Sequence, residues 1–427
     1  MTDAIVIGGG LAGLTAAATL ARAGRQVLLL ERGRTLGGLA STRLDEGVAL
    51  NLGPHALYRG GAGAATLRAL GVTWSGGRPS GRGLALEGQR LRLLPSTLAS
   101  LLGTGLLGLA GKWELARFLA RVPQLDPAAL RETSARAWLE RELADPTARA
   151  TAQAVLRVTT YAADLERLSA DAALSQLQLA QGSGVDYLDG GWVTLVEGLG
   201  RAAAGAELRT RAPVRAVEPR SGGGFLVRTG AGPALAAGAV VLAVPPRAAR
   251  ALLPAGALPA AWSEDALPVR AACVDLVLRG LPAPRRTFAL GIDRPLYWSV
   301  HTAAARLAPE GLEVAHALKY LPADPGSPDD DLQELEAMLD RLQPGWRARV
   351  VERRFLPRLQ VASALPRADR GGLAARPGPA IPHLPGAFVA GDWVGGQGLL
   401  ADASLASGRA AGEAALAALA RQPARVE

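Results

Sequence analysis

The chain has very little of the residue types that build many functional sites. Its 427 residues include one cysteine, Cys273, four histidines and only two lysines, Lys112 and Lys319. A single cysteine excludes an intramolecular disulfide framework and a metal cluster built from cysteines. Since Cys273 lies in the apolar run 269–278, we interpret it as a core residue rather than a nucleophile. The histidines lack metal-ligand spacing, so we expect no metal site.

Long runs of like charge are also missing. The formal net charge is +9, and it comes almost entirely from arginines that are scattered singly. Such scattering is typical of a solvated surface and argues against nucleic acid as a partner. An apolar content of 49% predicts a packed globular protein that is long enough for two domains. Because a strand is predicted within four residues of Met1, we expect no cleaved signal peptide and a cytoplasmic location.

The beginning of the chain carries a strand–helix–strand pattern. Residues 4–7 form a short apolar run that is typical of a buried parallel strand. The Ala- and Leu-rich stretch 11–23 predicts a helix that stops at Gly24. Residues 26–30 predict a second strand that ends on Glu31, and the whole forms one βαβ unit.

The first turn of this unit has the G-x-G-x-x-G pattern of dinucleotide-binding proteins. Gly8 permits a tight turn, Gly10 lets the backbone approach a pyrophosphate, and Gly13 lets the helix pack near the strand. The helix amino terminus, around Leu11 and Ala12, offers N–H groups and a positive dipole end to the phosphates. The pattern therefore predicts a dinucleotide site.

An acid completes the predicted site at the end of the second strand. Glu31 can accept hydrogen bonds from ribose hydroxyls and would repel a 2′-phosphate. We include its neighbour Arg32 among the predicted cofactor-binding residues. The unit by itself leaves both NAD and FAD open.

The residues that follow resemble a flavoprotein superfamily that contains monoamine oxidases, protoporphyrinogen oxidases and phytoene desaturases. The resemblance lies in the pair Gly37-Gly38, followed by Leu39, and in the segment Gly53-Pro54-His55. It implies FAD, with the glycine pair near the flavin pyrophosphate and ribityl chain and the segment 53–55 near the flavin ring. The superfamily usually has R-x-G-G-R here, but this chain has Thr35 and Leu39 at the arginine positions.

The other end of the chain is similar to the last motif of the same superfamily. Residues 387–390 predict a strand, Gly391-Asp392 follow it, and residues 403–420 predict a helix. The resemblance implies that Asp392 accepts from ribityl hydroxyls. A reduced flavin carries negative charge near N1 and O2, and N–H groups near Leu400 and Ala401 would stabilise that charge.

The middle of the chain predicts further β-structure for the cofactor domain. Residues 213–217, 225–229 and 239–244 predict a strand, its hairpin partner and a buried strand. The resemblance implies that adenine lies against the backbone at Val214.

We therefore expect an α/β fold with a discontinuous Rossmann-like FAD-binding domain and an α+β substrate domain that contains a mixed sheet and helices. The FAD-binding domain is predicted to comprise residues 1–81, 188–261 and 354–427. The substrate domain is predicted to comprise residues 82–187 and 262–353. Its predicted elements are helices at 112–122, 148–161 and 332–342, strands at 271–278 and 312–320, and a loop at 324–331.

The segment from Leu93 to Gly111 is uncharged and rich in leucine, with Arg90, Arg92 and Lys112 at its ends. Its length is close to the 20 or so residues of a spanning helix, but Pro95 and several glycines weaken that interpretation. We expect a buried or substrate-lining segment. The alternative is a helix that dips into one leaflet, with the protein peripheral on the inner membrane face.

Hydride transfer to flavin N5 requires few acid–base groups from the protein. His55 is the single candidate catalytic side chain, and a structural role bonding backbone is the alternative. Candidate pocket aromatics, for most of which core packing is the alternative, are Tyr58, Tyr161, Tyr187, Trp192, Tyr297 and Trp298.

Two absences divide the superfamily. Amine oxidases commonly place a lysine near flavin N5 on the strand that corresponds to residues 269–278, and this chain has none there. No cysteine lies near the last motif to tether the flavin. These absences favour a phytoene-desaturase-like dehydrogenase of an apolar substrate, with oxygen, quinone or NAD(P) as electron acceptor. The alternatives are an amine oxidase or protoporphyrinogen-oxidase-like enzyme, an NAD-dependent dehydrogenase, and a flavin-binding protein without catalysis.

Overall fold

The computed structural model describes residues 2–80, 82–230 and 232–421. The strands in these ranges are β1 Thr2–Ile7, β2 Val27–Leu30, β3 Thr42–Asp45, β4 Val48–Asn51, β5 Leu57–Tyr58, β6 Gly76–Gly77, β7 Leu84–Glu87, β8 Arg90–Leu93, β9 Val185–Leu188, β10 Ala206–Arg209, β11 Val214–Pro219, β12 Phe225–Thr229, β13 Leu235–Leu242, β14 Val269–Arg279, β15 Phe288–Gly291, β16 Leu296–Val300, β17 Leu312–Leu321, β18 Val350–Ala362 and β19 Ala387–Val389. The α-helices are α1 Leu11–Arg22, α2 Ala62–Ala69, α3 Leu98–Gly103, α4 Leu109–Arg121, α5 Ala135–Glu142, α6 Pro146–Thr160, α7 Ala170–Gly182, α8 Val193–Ala202, α9 Pro246–Leu252, α10 Ala260–Glu264, α11 Pro328–Leu342 and α12 Leu400–Ala420.

The first large sheet joins both ends of the chain. Its order is β10-β2-β1-β13-β12-β11, and β19 also pairs with β13. The strands β10, β2, β1, β13 and β19 run parallel, whereas β12 and β11 add an antiparallel hairpin. Because β1 and β19 both pair with β13, the predicted motifs that follow them lie at the same carboxyl edge of one sheet.

The second large sheet is mixed and has the order β18-β14-β17-β16-β15-β7-β8. Its interior strand β14, next to the edge strand β18, is buried on both faces, because α11 covers one face and an apolar cluster that includes α4, α6 and α7 covers the other. Together the two sheets confirm the predicted α/β class with a mixed substrate-side sheet. The predicted domain bounds stay a prediction, and β18 runs across the boundary drawn between residues 353 and 354.

Two sequence-based expectations need correction. The predicted loop 324–331 ends early, because α11 begins at Pro328. The Ser327 hydroxyl accepts from the Asp329 N–H and caps this helix, and three aspartates in its first turn favour the positive dipole end. The second correction concerns segment 93–111, which is not wholly buried.

That segment instead contains α3, the start of α4 and a glycine-rich connection between them. Leu101, Leu106 and Leu107 are buried, whereas Leu98 and Leu109 are exposed to solvent. Among the described residues, no helix combines the length and the apolar character that spanning a bilayer requires.

Candidate active site

The glycine turn after β1 is packed so closely that two of its glycines cannot be replaced. Gly8 has a φ of +107°, and a Cβ there would lie 2.3 Å from the Ala243 carbonyl oxygen. A Cβ on Gly13 would lie 1.9 Å from the Gly8 carbonyl oxygen. Both contacts are far shorter than van der Waals separation, so the turn and the start of α1 depend on these two residues.

Gly10 faces open space instead. A Cβ on Gly10 would meet only the Gly37 carbonyl oxygen, at 3.8 Å. No side chain caps the first N–H groups of α1, which begins at Leu11 and continues through Ala12, and its first turn holds no acid. A helix amino terminus with free donors behind a surface of glycines fits the pyrophosphate of a dinucleotide.

Glu31 organises the neighbouring loops. Its carboxylate accepts from the Gly9 N–H at 2.7 Å and from the Gly33 N–H at 2.6 Å. The Glu31 carbonyl oxygen accepts from the Ala212 N–H at 2.8 Å, which brings the strand that starts at Val214 to this end of the site. Thus the predicted ribose acid and the predicted adenine-side residue lie close together, while the Arg32 side chain is exposed.

The second glycine pair lies directly against the first turn. The Gly37 N–H donates to the Gly9 carbonyl oxygen at 2.8 Å, and a Cβ on Gly38 would lie 3.4 Å from the Gly10 Cα. Both residues of the pair have positive φ, at +115° and +57°. The close approach of the two turns explains why glycine is used at both places.

His55 is held by main-chain oxygens. Its Nδ1 lies 3.0 Å from the Gly53 carbonyl oxygen and its Nε2 lies 3.0 Å from the Leu39 carbonyl oxygen. The ring also lies 4.8 Å from the Trp192 ring, between centroids. Burial lowers the pKa of His55, although hydrogen bonding to both carbonyls opposes that shift. A neutral ring can donate to only one of the two oxygens, and this geometry supports the structural alternative for His55 at least as well as a catalytic role.

The carboxyl-terminal motif is fixed to the same edge of the first sheet. Ser407 on α12 accepts from the Gly391 N–H at 3.0 Å and donates to the Gly391 carbonyl oxygen at 2.8 Å. Asp392 is buried and accepts from the Ser363 N–H at 2.6 Å. Burial raises the pKa of Asp392, and this hydrogen bond opposes the shift.

Helix α12 crosses α1 at very close range. A Cβ on Gly408 would lie 2.3 Å from the Ala12 carbonyl oxygen, so the two backbones touch. The helix starts at Leu400, whose φ is +55°, and Ala401 follows in its first turn. A left-handed leucine costs energy, and such strain is found most often at functional sites.

Two ionisable residues near this helix start were missed by the sequence analysis. Asp402 is buried, with one carboxylate oxygen accepting from the Gly63 N–H at 2.8 Å and the other without a hydrogen-bond partner among the described residues. Burial raises its pKa to about 6. Arg376 donates to the Gly398 carbonyl oxygen at 2.8 Å, and burial lowers its pKa to about 10.

The two residues differ in how far the sequence alone could have indicated them. Asp402 stands in the first turn of a predicted helix next to Ala401, so its position was visible in the motif. Arg376 lies in an irregular segment that shows no pattern. Arg376, Asp392 and Leu400 nevertheless line one small cavity together with Thr160 at the end of α6.

On the substrate side, four buried or partly buried polar residues form what we call the acid–histidine cluster, Cys273, Asp275, His316 and Arg354. One Asp275 oxygen lies 2.6 Å from His316 Nδ1 and 3.2 Å from the Cys273 sulfur. The other accepts from Arg354 Nε at 2.9 Å and Nη2 at 2.6 Å. Asp275 and His316 are directly opposite in the β14–β17 register, which no local sequence pattern could indicate.

The electrostatics of this cluster decide its chemistry. Burial works to raise the pKa of Asp275, but hydrogen bonding to His316 and the charge of Arg354 outweigh it and lower that pKa. Burial and the nearby Asp275 raise the pKa of Cys273 well above its usual range, so the thiol stays protonated. Although three ligand atoms lie within 4.8 Å of one another, the carboxylate is already neutralised by Arg354 and the thiol is no ligand. This donor set fits a cation poorly.

The cluster adjoins the segment that is predicted to lie near the flavin ring. Arg354 also donates to the Asn51 carbonyl oxygen. A Cβ on Gly53 would lie 3.8 Å from the Cys273 sulfur, and the Tyr161 hydroxyl donates to the Pro54 carbonyl oxygen at 3.1 Å. Residues 51–54 therefore join the glycine-lined half of the site to the substrate half.

Several predicted pocket aromatics are core residues. Tyr187 stacks on His301 with 3.8 Å between ring centroids, and its hydroxyl lies 3.1 Å from the Ser299 hydroxyl. Burial lowers the pKa of His301 well below its usual value, so this ring is neutral. Trp192, Tyr297 and Trp298 are also buried, whereas Tyr58 and Tyr161 are partly accessible.

Comparison with known proteins agrees with this geometry. The profile of the family described as flavin containing amine oxidoreductase matches residues 11–273. A proposed protoporphyrinogen oxidase from Exiguobacterium sp. 255-15 superposes with a TM-score of 0.71, at 20% identity over 96% of this chain and 98% of that one. Cyclohexylamine oxidase from Brevibacterium oxydans IH-35A gives 0.71, at 17% identity over 98% and 99% of the two chains.

A sequence relative matches only locally. The inactive all-trans-retinol 13,14-reductase of Danio rerio is 51% identical over 51 residues, which is 12% of this chain and 8% of the relative. The structural likenesses show the fold, and the contacts of individual residues with the cofactor stay predictions. The profile match covers well over half of the chain, and it establishes that the protein belongs to the flavin containing amine oxidoreductase family and is an FAD-dependent oxidoreductase.

Proposed function

We propose that the protein uses FAD to dehydrogenate, and so desaturate, an apolar organic substrate. The bound flavin supplies an acceptor for hydride at N5, and the substrate also loses one proton when the new double bond forms. The protein would orient the substrate and exclude water. An electron acceptor, for which oxygen, quinone and NAD(P) are the candidates, would then reoxidise the flavin.

The observation that carries this proposal is the apolar lining between the two halves of the site. One hydrophobic cluster includes Leu399 and Leu400 at the start of α12, Cys273 on β14, and Leu359 on β18. Charged groups border it, since Arg376 and Asp392 line the small cavity beside Leu399 and Leu400 and Asp275 contacts Cys273, but β14 has no lysine. Arg354 already pairs with Asp275, and the charge of Arg376 acts on Asp392. An amine cation would therefore lose its hydration without gaining either carboxylate, which favours an apolar substrate.

The retinol reductase is one of several local sequence relatives, and it gives weaker support. Retinol, which appears in its name, is a long apolar polyene with one hydroxyl. A substrate of that kind partitions into lipid, so we also propose that the protein makes peripheral contact with a membrane. Cytoplasmic location on the inner membrane face would be consistent with this contact.

For the cofactor we propose contacts that follow the geometry of the glycine turns. The pyrophosphate would lie over Gly10 and the α1 amino terminus, ribose at Glu31, and adenine beside Val214. The flavin end would extend past residues 53–55 toward Asp392 and the first N–H groups of α12. His55 would then position the backbone of Gly53 and Leu39 rather than transfer a proton.

Anaerobic mixing of the holoprotein with a substrate panel tests the proposed reaction. We expect a polyene or another long apolar donor to bleach the flavin absorbance, while primary and secondary amines leave it oxidised. Rapid bleaching by an amine and none by apolar donors would contradict the proposal. That result would favour the amine oxidase alternative, which the solved cyclohexylamine oxidase fold makes worth testing.

A variant pair tests the lining itself. Leu359 is partly buried next to Gly53, so Leu359→Gln should raise KM for an apolar donor several-fold while FAD content stays constant. Leu44→Gln is the matched control, since Leu44 is 61% exposed and outside the cluster.

Photoreduction of the flavin followed by addition of electron acceptors tests the alternative that the protein binds flavin without catalysis. A reduced flavin that no acceptor reoxidises would support that alternative.

A further inference from the structure

Exposed apolar side chains concentrate in one part of the surface. Among residues 2–80, 82–230 and 232–421, eight large hydrophobic side chains are exposed, and five of them lie between residues 93 and 113. Their exposed fractions, in chain order, are 38% for Leu93, 71% for Leu98, 67% for Leu102, 88% for Leu109 and 63% for Trp113. Single exposed hydrophobic residues are ordinary, but a group of this size marks a binding surface.

Four of the five lie on two adjoining helices, and we call these four the apolar face; Leu93 ends β8. Leu98 and Leu102 are four residues apart on α3, and Leu109 and Trp113 are four residues apart on α4. The Lys112 ammonium donates to the Leu102 carbonyl oxygen at 2.7 Å, which shows that the two helices meet there. Residues that are four positions apart lie on the same side of an α-helix. Each pair therefore forms a continuous apolar strip along its helix.

Burial of the opposite side of both helices shows that this exposure is not a failure of amphipathic patterning. Leu101 on α3 and Leu115 and Phe118 on α4 are buried in the substrate-side apolar cluster. That cluster also contains Cys273 and Tyr320 of the substrate sheet. Each helix therefore has two apolar sides. The inner side packs into the core, and no described residue covers the outer side.

Charge around the face is almost entirely positive. Residues 88–125 contain five basic side chains and one acid, Glu114. The charge of Arg121 is balanced by Glu142, whereas Glu114 accepts only from the neutral Asp145 N–H and keeps its negative charge. Four basic side chains remain. Arg92 has a buried Nε, and the other three are Arg90, Lys112 and Arg117, whose guanidinium lies 4.8 Å from the centroid of the Trp113 ring.

We propose that the apolar face binds the surface of an anionic phospholipid membrane. The leucines and Trp113 would enter the boundary between headgroups and acyl chains, where tryptophan is favoured, and the three cations would lie among lipid phosphates. A second copy of this chain fits the face less well. In a symmetric contact, Lys112 and Arg117 of both copies would be brought together in an apolar interface, where like charges repel strongly.

This docking adds a partner and a direction of approach to the proposed function. Because α3 and α4 belong to the wall of the substrate-side cluster, a membrane at the apolar face would lie on the substrate side of the molecule. Only the idea that the substrate leaves the bilayer there rests on the proposed function. Binding to lipid rests on the face alone.

Vesicle sedimentation with the holoprotein tests the docking. We expect the protein to sediment with vesicles of phosphatidylcholine mixed with phosphatidylglycerol, and much less with phosphatidylcholine alone or at high salt. The double variant Leu109→Ser with Trp113→Ser should weaken partitioning at least about tenfold, because two exposed apolar side chains are lost. Leu44→Ser, at a residue that is 61% exposed but distant in sequence, should bind as the wild type does.

Two further measurements separate the contributions of charge and insertion. Arg90→Gln with Arg117→Gln should reduce binding to the anionic vesicles only, by roughly three- to tenfold. Brominated lipids should quench part of the wild-type tryptophan fluorescence, and that part should disappear in Trp113→Phe. Both variants should retain the flavin spectrum, because these residues lie outside the cofactor site.

The proposal is overturned if the wild type ignores both kinds of vesicle or if the Leu109/Trp113 double variant binds as well as the wild type. It is also overturned if light scattering shows an oligomer that the double variant dissociates without any vesicle binding, since the face would then be a contact between copies. Failure of the proposed function is distinguishable. In that case vesicle binding persists while apolar donors, supplied in detergent, leave the flavin oxidised.

Discussion

The two halves of the site are built from different kinds of atoms. At the carboxyl edge of the first sheet, Gly10 and Gly38 leave backbone atoms accessible beside the uncapped start of α1. In the second sheet, Asp275 and His316 hold a buried network of ionisable side chains. One half is a surface made by the absence of side chains, and the other is a set of side chains that must neutralise each other.

This difference determines how each half can fail. A glycine-lined surface is damaged by adding atoms, and the damage should affect ligand binding before it affects folding when the added atoms point into open space. A buried charged network is damaged by removing one partner, and the damage should appear first in stability, because the remaining charges stay desolvated. Substitutions in the two halves should therefore separate these two outcomes.

The largest effect on stability is expected from Asp275→Asn. The amide cannot neutralise Arg354 and cannot accept from both of its partners as the carboxylate does. We expect the free energy of unfolding to fall by about 3–5 kcal/mol, measured by urea denaturation. Glu352→Gln is the control, because Glu352 pairs with Arg43 in a solvent-exposed ion pair and should cost less than about 1 kcal/mol. If the free energy of unfolding fell by the same small amount in both variants, the buried carboxylate of Asp275 would contribute no more to stability than an exposed ion pair.

The next largest effect is expected on cofactor affinity. Gly10 has a φ of −78°, which alanine adopts without strain, and its Cβ would point toward the predicted pyrophosphate. Gly10→Ala should weaken FAD binding at least about a hundredfold, or roughly 3 kcal/mol, while the apoprotein unfolds as the wild type does. Gly200→Ala in α8, where an added Cβ also meets open space, should keep both properties. Unchanged FAD affinity in Gly10→Ala would place the pyrophosphate elsewhere.

The same contrast explains what could be predicted from sequence. The glycine-lined half depends on residues that are close in the chain and on a βαβ unit, so Gly8, Gly13 and Glu31 could be assigned to one turn without a structure. The close contact of Gly408 with Ala12 was not predicted, because it depends on how α12 packs against α1 rather than on any local pattern. The bounds of α1 and β2 were also predicted closely, whereas β13 starts earlier than predicted, at Leu235, and so does α12, at Leu400.

The substrate half could not be predicted in the same way. Asp275 meets His316 and Arg354 only through the registers of β14 with β17 and β18, and such register is set by long-range packing. The exposed Leu109 and Trp113 likewise depend on which side of α4 faces the core, which an apolar run on both sides does not reveal.

A smaller effect tests how the start of α12 tolerates a buried acid. Burial raises the pKa of Asp402 to about 6, above the ordinary value near 4, so the folded protein binds a proton more tightly than the unfolded chain. This carboxyl therefore costs stability progressively as the pH rises from about 4 to about 6, and the full cost, roughly 2–3 kcal/mol, persists above that range.

Asp402→Asn should remove this pH dependence. The difference in unfolding free energy between variant and wild type should be near zero at about pH 4 and favour the variant at neutral pH, measured by urea denaturation at constant excess FAD. Glu413→Gln, an exposed carboxyl on the same helix, controls for the loss of one negative charge. A stability difference that stays constant with pH would show that Asp402 does not titrate in this range.

The smallest effect concerns the departure from the R-x-G-G-R pattern. Leu39 occupies the second arginine position and is 40% exposed, and its carbonyl oxygen contacts His55 through the backbone only. Leu39→Arg therefore leaves that contact in place and adds a cation near the predicted pyrophosphate. We expect FAD affinity to rise about two- to fivefold at low salt, because exposed charge pairs contribute about 1 kcal/mol or less. Leu39→Gln supplies the length without the charge and should leave the affinity unchanged, and a gain in both variants would rule out electrostatics as its cause. A gain confined to the arginine and lost at high salt would show that this half of the site binds FAD mainly through its backbone, with side-chain charge as a minor addition.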